Sequence, residues 1–102
     1  MPTEDKSVLN ATEVDEELKT LEGWSRDGIV ISRAFLLANF KDITAFLNHL
    51  VKTITEMNHH PDFSLDTGSK IVAVSVTTHS EQAVTRADIN FASALNAWTP
   101  GS

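Results

Sequence analysis

No cysteine occurs in the 102 residues, which excludes disulfides, thiolate nucleophiles and Cys-based zinc sites together. Any chemistry must use oxygen and imidazole. No apolar run approaches the ~20 residues that cross a bilayer. The opening Met1-Pro2-Thr3-Glu4-Asp5 is neither a basic-then-apolar leader nor an arginine-rich transit segment. A cytoplasmic location without membrane association is expected. Basic residues are scarce, with Lys and Arg numbering 8 against 14 Asp and Glu, for a net charge of -6. The deficit is uneven: residues 1–22 hold seven acids and two lysines, whereas residues 23–102 hold seven acids and six bases. An acidic first segment and a near-neutral remainder offer no basic stripe to a phosphate backbone, which argues against direct nucleic-acid binding.

Repeats, low-complexity tracts and Pro/Gly/Ser-rich linkers are absent too, so residues 1–102 read as a single domain. A chain of this size buries about two-thirds of its unfolded surface around one modest core. Apolar residues make up 41% and charged residues 22% of it, the ordinary balance of a globular protein.

Periodicity predicts the elements. Residues 1–9 read as frayed. Thr12 is a candidate N-cap, with Asp15 three residues on, for a short helix that shows Val14, Leu18 and Leu21 on one face and stops at Gly23. Asp27-Gly28 is a hairpin signal between Trp24 and the β-branched run Ile29–Ile31. Asn39, followed by Asp42, caps a long helix whose Phe40, Ile43, Phe46, Leu47, Leu50, Val51, Ile54 and Met57 recur at three- and four-residue spacing. Pro61 forces that helix to end near Asn58–His60. A strand, a turn at Asp66–Ser69 and a second strand follow, the latter with Val72, Val74 and Val76 on one face and Ile71, Ala73, Ser75 and Thr77 on the other. Thr85 caps a last helix carrying Ile89, Ala92, Leu95 and Trp98, ended by Pro100-Gly101. The fold class is therefore α+β in the order α-β-β-α-β-β-α, a four-stranded antiparallel sheet with three helices packed on one face. Trp24, Phe35, Phe40, Phe46, Phe63 and Phe91 are assigned to the core, and His49 to solvent.

The chemistry-bearing stretch is "EMNHHPDF", Glu56–Phe63, which holds two of the four histidines side by side. In a helix adjacent rings point about 100° apart, and in a strand they face opposite sides. A helix end broken by Pro61 lets both His59 and His60 approach one pocket, and the helix C-terminus favours imidazolium there. Capping of the last carbonyls is the plain alternative. His79 sits where the valine-rich strand gives out, beside Thr77 and Thr78, at the kind of loop that carries function. Asp88, three residues after Thr85, either completes a capping box, or orients a histidine or binds a substrate N–H group.

These residues resemble a known family. "NFKDITAFLNHLVKTITEMNHHPDF", then "VSVTTH", then "TRADINFASAL" are similar to the pterin-4a-carbinolamine dehydratases, also known as dimerisation cofactors of a homeodomain transcription factor. The likeness runs from about Gly23 to Leu95. It implies a saddle-shaped α+β fold and the loss of water from 4a-hydroxytetrahydropterin to give quinonoid dihydropterin, a step in tetrahydrobiopterin recycling. By position it implies His59, His60 and His79 as active-site histidines; we expect His59 and His79 to share the acid and base roles and His60 to hold the pterin and tune the site. Asn58, Thr77, Thr78, Ser80 and Asp88 fall at substrate-binding positions. The family needs neither metal nor organic cofactor, and its members form dimers or tetramers. A nuclear as well as a cytoplasmic location is compatible with it. Two positions depart from the pattern. Thr55 stands where the family usually has an acid, with Glu56 one step later, and the Asp66–Ser69 turn lengthens a hairpin that usually carries an aromatic residue. Two other readings compete: a protein-interaction module without catalysis, and a metal site built from the three histidines and Asp88.

Overall fold

The computed structural model describes residues 4–100. Its elements are α1 (Ala11–Leu18), β1 (Ser25–Asp27), β2 (Val30–Leu36), α2 (Phe40–Met57), β3 (Asp62–Asp66), β4 (Ile71–Val76), a 3₁₀ turn (His79–Glu81) and α3 (Arg86–Asn96). The strands form one antiparallel sheet in the order β1-β2-β4-β3, so the expected α+β class and α-β-β-α-β-β-α order are those of the molecule. Two hairpins supply the outer pairs. The central β2–β4 ladder, Ile31 opposite Val76 through Leu36 opposite Ile71, joins them.

Strand alternation decides what the sheet buries. Ile31 and Phe35 of β2 and Val72, Val74 and Val76 of β4 share one face and are buried. Against them pack Val14 of α1, Ile43, Phe46 and Leu50 of α2, and Ile89, Phe91, Ala92 and Leu95 of α3. Aromatic rings run through this core, with Phe35 and Phe46 centroids 4.5 Å apart and Phe46 edge-on to Trp98 at 5.3 Å. Asn39 caps α2 as expected, its side chain accepting from the Asp42 N–H at 2.8 Å. Thr85 and Asp88 form the capping box of α3.

Several local readings need correction. Asn10, not Thr12, caps α1, because Glu13 at the third helical position can reach back to the Asn10 N–H and close a capping box. The helix stops at Leu18, and Gly23 (φ +86°) instead turns the chain into β1, where an added Cβ would collide with the Arg33 side chain at 2.5 Å. Gly28 (φ +62°) opens the first hairpin at the position a type II′ turn requires, which leaves Ile29 in the turn and exposed. Phe40 and Phe63 are exposed at 61% and 47%, because Phe40 is the first residue of α2 and Phe63 lies on an edge strand that the helices do not cover. His49 is not solvent-facing, since its Nε2 donates to the Ala94 carbonyl at 2.9 Å and ties α2 to α3. α3 ends at Asn96, four residues before Pro100, while Gly101 lies outside the described residues. Residues 4–9, expected to fray, pair with residues 84–87 instead; residues 1–3 lie outside the described residues.

Candidate active site

The end of α2 sorts the two adjacent histidines. Asn58 takes the left-handed conformation (φ 51°, ψ 41°) at the C-cap, which asparagine tolerates better than other non-glycine residues. That reversal and Pro61 deliver the chain directly into β3, where Asp62 pairs with Ser75. In the extended link between them the two rings part. His59 turns inward and is 4% exposed, while His60 stays on the surface.

His59 is held from both sides. Its Nε2 lies 2.5 Å from Asp88 Oδ1 and its Nδ1 lies 2.5 Å from Glu4 Oε1. Carboxylates only accept, so two ionised partners require a hydrogen on each ring nitrogen, the imidazolium form. Burial opposes that charge, but the bonds and charges of Asp88 and Glu4 outweigh it and raise the His59 pKa above its ordinary value. Asp88 is itself fully buried, and its second oxygen accepts from the Thr78 hydroxyl at 2.9 Å and the Thr85 N–H at 2.8 Å. The Thr78 and Thr85 hydroxyls share a further bond at 2.7 Å. Asp88 thus caps α3 with one oxygen and orients His59 with the other.

His60 and His79 meet elsewhere. They line a surface cavity of about 110 Å³ together with Val30, Asp62, Ser75, Val76 and Thr77. A shallow hollow of about 360 Å³ on the open face of the sheet, bordered by Ser32, Ala34, Ser64 and Ala73, shares Asp62 and Ser75 with it, so the two adjoin. A third hollow of about 370 Å³, around Arg33, Asp42 and Trp98, contains no histidine. The cavity with two histidines is the smallest of the three.

The expectation that three imidazoles face one cleft is corrected at His59: His60 and His79 line one cavity, whereas His59 is buried with both ring nitrogens on carboxylates. The competing metal site loses those same nitrogens as ligands. Among the described residues no group of three or more His, Asp or Glu is arranged to hold a metal. Of the expected binding residues, Thr77 lines the cavity and donates its hydroxyl to the Ile29 carbonyl at 2.6 Å. Thr78 and Asp88 are buried around His59, Asn58 is the exposed cap of α2, and Ser80 on the 3₁₀ turn accepts from Lys6 Nζ at 3.2 Å. Thr55 and Glu56 are both exposed, and the Thr55 hydroxyl bonds back to the Val51 carbonyl at 3.1 Å. Sequence reading missed Asp62 and Ser75, which strand register across β3 and β4 would have paired, and Glu4, for which the sequence holds no signal.

Comparison with known proteins identifies the family of the chain. The family model described as pterin 4 alpha carbinolamine dehydratase matches residues 7–98. Curated proteins provisionally named pterin-4-alpha-carbinolamine dehydratases are similar to the chain. The one from Sulfurisphaera tokodaii is 36% identical over 86% of this chain and 92% of its own. The one from Streptomyces coelicolor is 38% identical over 90% of this chain and 87% of its own. A solved structure from Brucella melitensis, titled a transcriptional coactivator/pterin dehydratase, superposes with a TM-score of 0.82 at 30% identity, covering 89% of this chain and 97% of that one. The chain belongs to the pterin 4 alpha carbinolamine dehydratase family.

Proposed function

We propose that the protein removes water from a 4a-hydroxytetrahydropterin, releasing quinonoid dihydropterin, and that the histidine cavity is where it does so. The single observation that carries the reading is that His60 and His79 line one cavity together with Asp62 and Thr77.

The reaction asks little of a protein. In a carbinolamine the N5 lone pair already pushes the hydroxyl from C4a; the C4a–O bond breaks, C4a=N5 forms, the leaving oxygen takes one proton and N5 gives one up. Two imidazoles, each able to give or take a proton, can carry both transfers, each worth about 10²- to 10⁴-fold. His60 and His79 fill these roles in our reading, one as acid and one as base. His59, expected to share them, has no free nitrogen and acts as a support for the helix end that carries His60. Thr77, Asn58 and Ser80 remain candidates for contacting the substrate's edge, and Thr78 and Asp88 act through His59. The resulting quinonoid product would return to a tetrahydropterin through a reductase, which is the recycling role implied by family membership.

Size bears on the form of the active molecule. Ligand sites usually enclose about 300–1,000 Å³, so a cavity of about 110 Å³ covers part of a bicyclic substrate. The adjoining sheet face offers the remaining room, and a second copy of the chain could wall it. The reading is tested by following conversion of freshly generated 4a-carbinolamine in the presence and absence of the protein: acceleration supports it, and an unchanged rate refutes it.

A further inference from the structure

The segment ahead of α1 is a strap rather than a loose end. The Leu9 N–H donates to the Val84 carbonyl at 3.0 Å, the Arg86 N–H to the Ser7 carbonyl at 3.0 Å and the Ala87 N–H to the Asp5 carbonyl at 2.7 Å, while Val8 bridges to Thr85. Asp5 stiffens it locally by accepting from the Ser7 N–H at 3.0 Å and the Ser7 hydroxyl at 2.5 Å. Lys6 ties it to Ser80, next to His79. This register leaves Glu4 beside the buried His59, with the Glu4 side chain 18% exposed and 3.8 Å from Lys6 Nζ.

One carboxylate is enough to orient an imidazole. With Asp88 accepting from Nε2–H, a neutral ring would keep Nδ1 as a bare lone pair. Glu4 faces that nitrogen and as a carboxylate can only accept, so the ionised form requires the second ring hydrogen. Asp88 comes from a buried helix start and Glu4 from the strap, so the two restraints are structurally independent. The charged groups around the ring are Asp88 from α3 and Glu4 from the strap, with Lys6 behind Glu4; Phe91 of α3 closes the apolar side with its centroid 5.8 Å from that of His59.

We propose that Glu4 is a positioning residue for the histidine site: carried in by the strap, its carboxylate keeps His59 doubly protonated and clamped against Asp88, and so fixes the peptide that aims His60 into the cavity. This rests on the dehydratase reading for its effect on rate but not for its effect on His59. Replacing Glu4 by glutamine keeps an acceptor and removes the charge.

The test is a ¹⁵N-detected histidine titration of the whole protein, run beside a pH–rate profile for carbinolamine dehydration, on wild type, Glu4→Gln and Glu4→Ala. Glu16→Gln, an exposed α1 acid paired with Lys19, serves as the control. The His59 midpoint is expected to fall by about one pH unit or more in Glu4→Gln and further in Glu4→Ala. The alkaline limb of kcat moves down with it, while KM changes less than twofold. In Glu16→Gln both readouts stay at wild-type values. An unmoved His59 midpoint in both Glu4 variants overturns the proposal, as does a moved midpoint with an unmoved rate profile. Should the wild-type protein fail to dehydrate the carbinolamine, the functional reading falls, and the titration alone still decides whether Glu4 sets the charge of His59.

Discussion

At the scale of the residue, the adjacent histidines of "NHHP" divide the labour between them because a left-handed Asn58 and a following proline send their rings to opposite sides of the chain. His59 becomes a buried cation between two carboxylates, and His60 a surface group next to His79. The raised His59 pKa has a definite consequence for stability. A group that binds its proton more tightly when folded stabilises the fold fully below its unfolded pKa, about 6.5 for histidine. That contribution is lost as pH rises through the folded value. Urea unfolding of the wild type is therefore expected to give a stability that declines from about pH 6.5 upward, a slope that Glu4→Ala flattens. Asp88→Ala strips a buried cation, Thr78, and the Thr85 N–H of their shared acceptor. Breaking such a buried pair costs about 3–5 kcal/mol, so the loss should be greatest near pH 6 and smaller at a pH above the folded His59 pKa, where the wild type has given up the ion pair. Equal losses at both pH values would show that the His59–Asp88 bond is not charge-assisted.

At the scale of the element, the C-terminus of α2 is the hinge on which the site is built. A β-branched residue at the left-handed Asn58 position costs about 1–2 kcal/mol in backbone strain, whereas glycine accepts that conformation without a side-chain penalty. Thermal unfolding should therefore rank Asn58→Gly near wild type and Asn58→Val below it by roughly that amount. An Asn58→Val variant as stable as wild type would mean the helix end relaxes, and with it the split between His59 and His60. Element existence was the part most open to sequence reading, because Ile43, Phe46 and Leu50 and the alternating Val72, Val74 and Val76 carry clean periods of helix and strand. Boundaries were less so. Thr12 and Asn10 are both competent caps, and only the reach of Glu13 decides between them. Phe40 and Phe63 follow the apolar pattern, yet their exposure depends on where helices end relative to the sheet, which no local pattern encodes. The proximity of His79 to His60 was legible through a family likeness rather than through spacing. The Glu4–His59 contact spans 55 positions and joins an acidic stretch to a helix end, a tertiary fact without a local signature.

At the scale of the whole molecule, a small core leaves much apolar surface outside it. Leu36 is 74% exposed, and Phe40 and Val51, both on α2, are 61% and 55% exposed. Eleven residues separate the latter two, which returns them to nearly the same helix face after three turns. Phe63 and Leu65 alternate on β3, an edge strand of the sheet. Exposed apolar residues on a helix face and a strand edge favour association. A homo-oligomer is therefore expected, and sedimentation equilibrium at micromolar concentration should return at least twice the chain mass. A strictly monomeric protein that still dehydrates the carbinolamine would show that the sheet face alone completes the pocket.

The central claim is that His60 and His79 act on one substrate in one cavity. Its most direct test is stopped-flow dehydration of 4a-carbinolamine by His60→Ala and His79→Ala, alongside the wild type, at neutral pH. Each variant is predicted to lose about 10²- to 10⁴-fold in kcat, with the double variant no slower than the poorer single one by more than a few-fold. Wild-type turnover in either single variant would contradict the account.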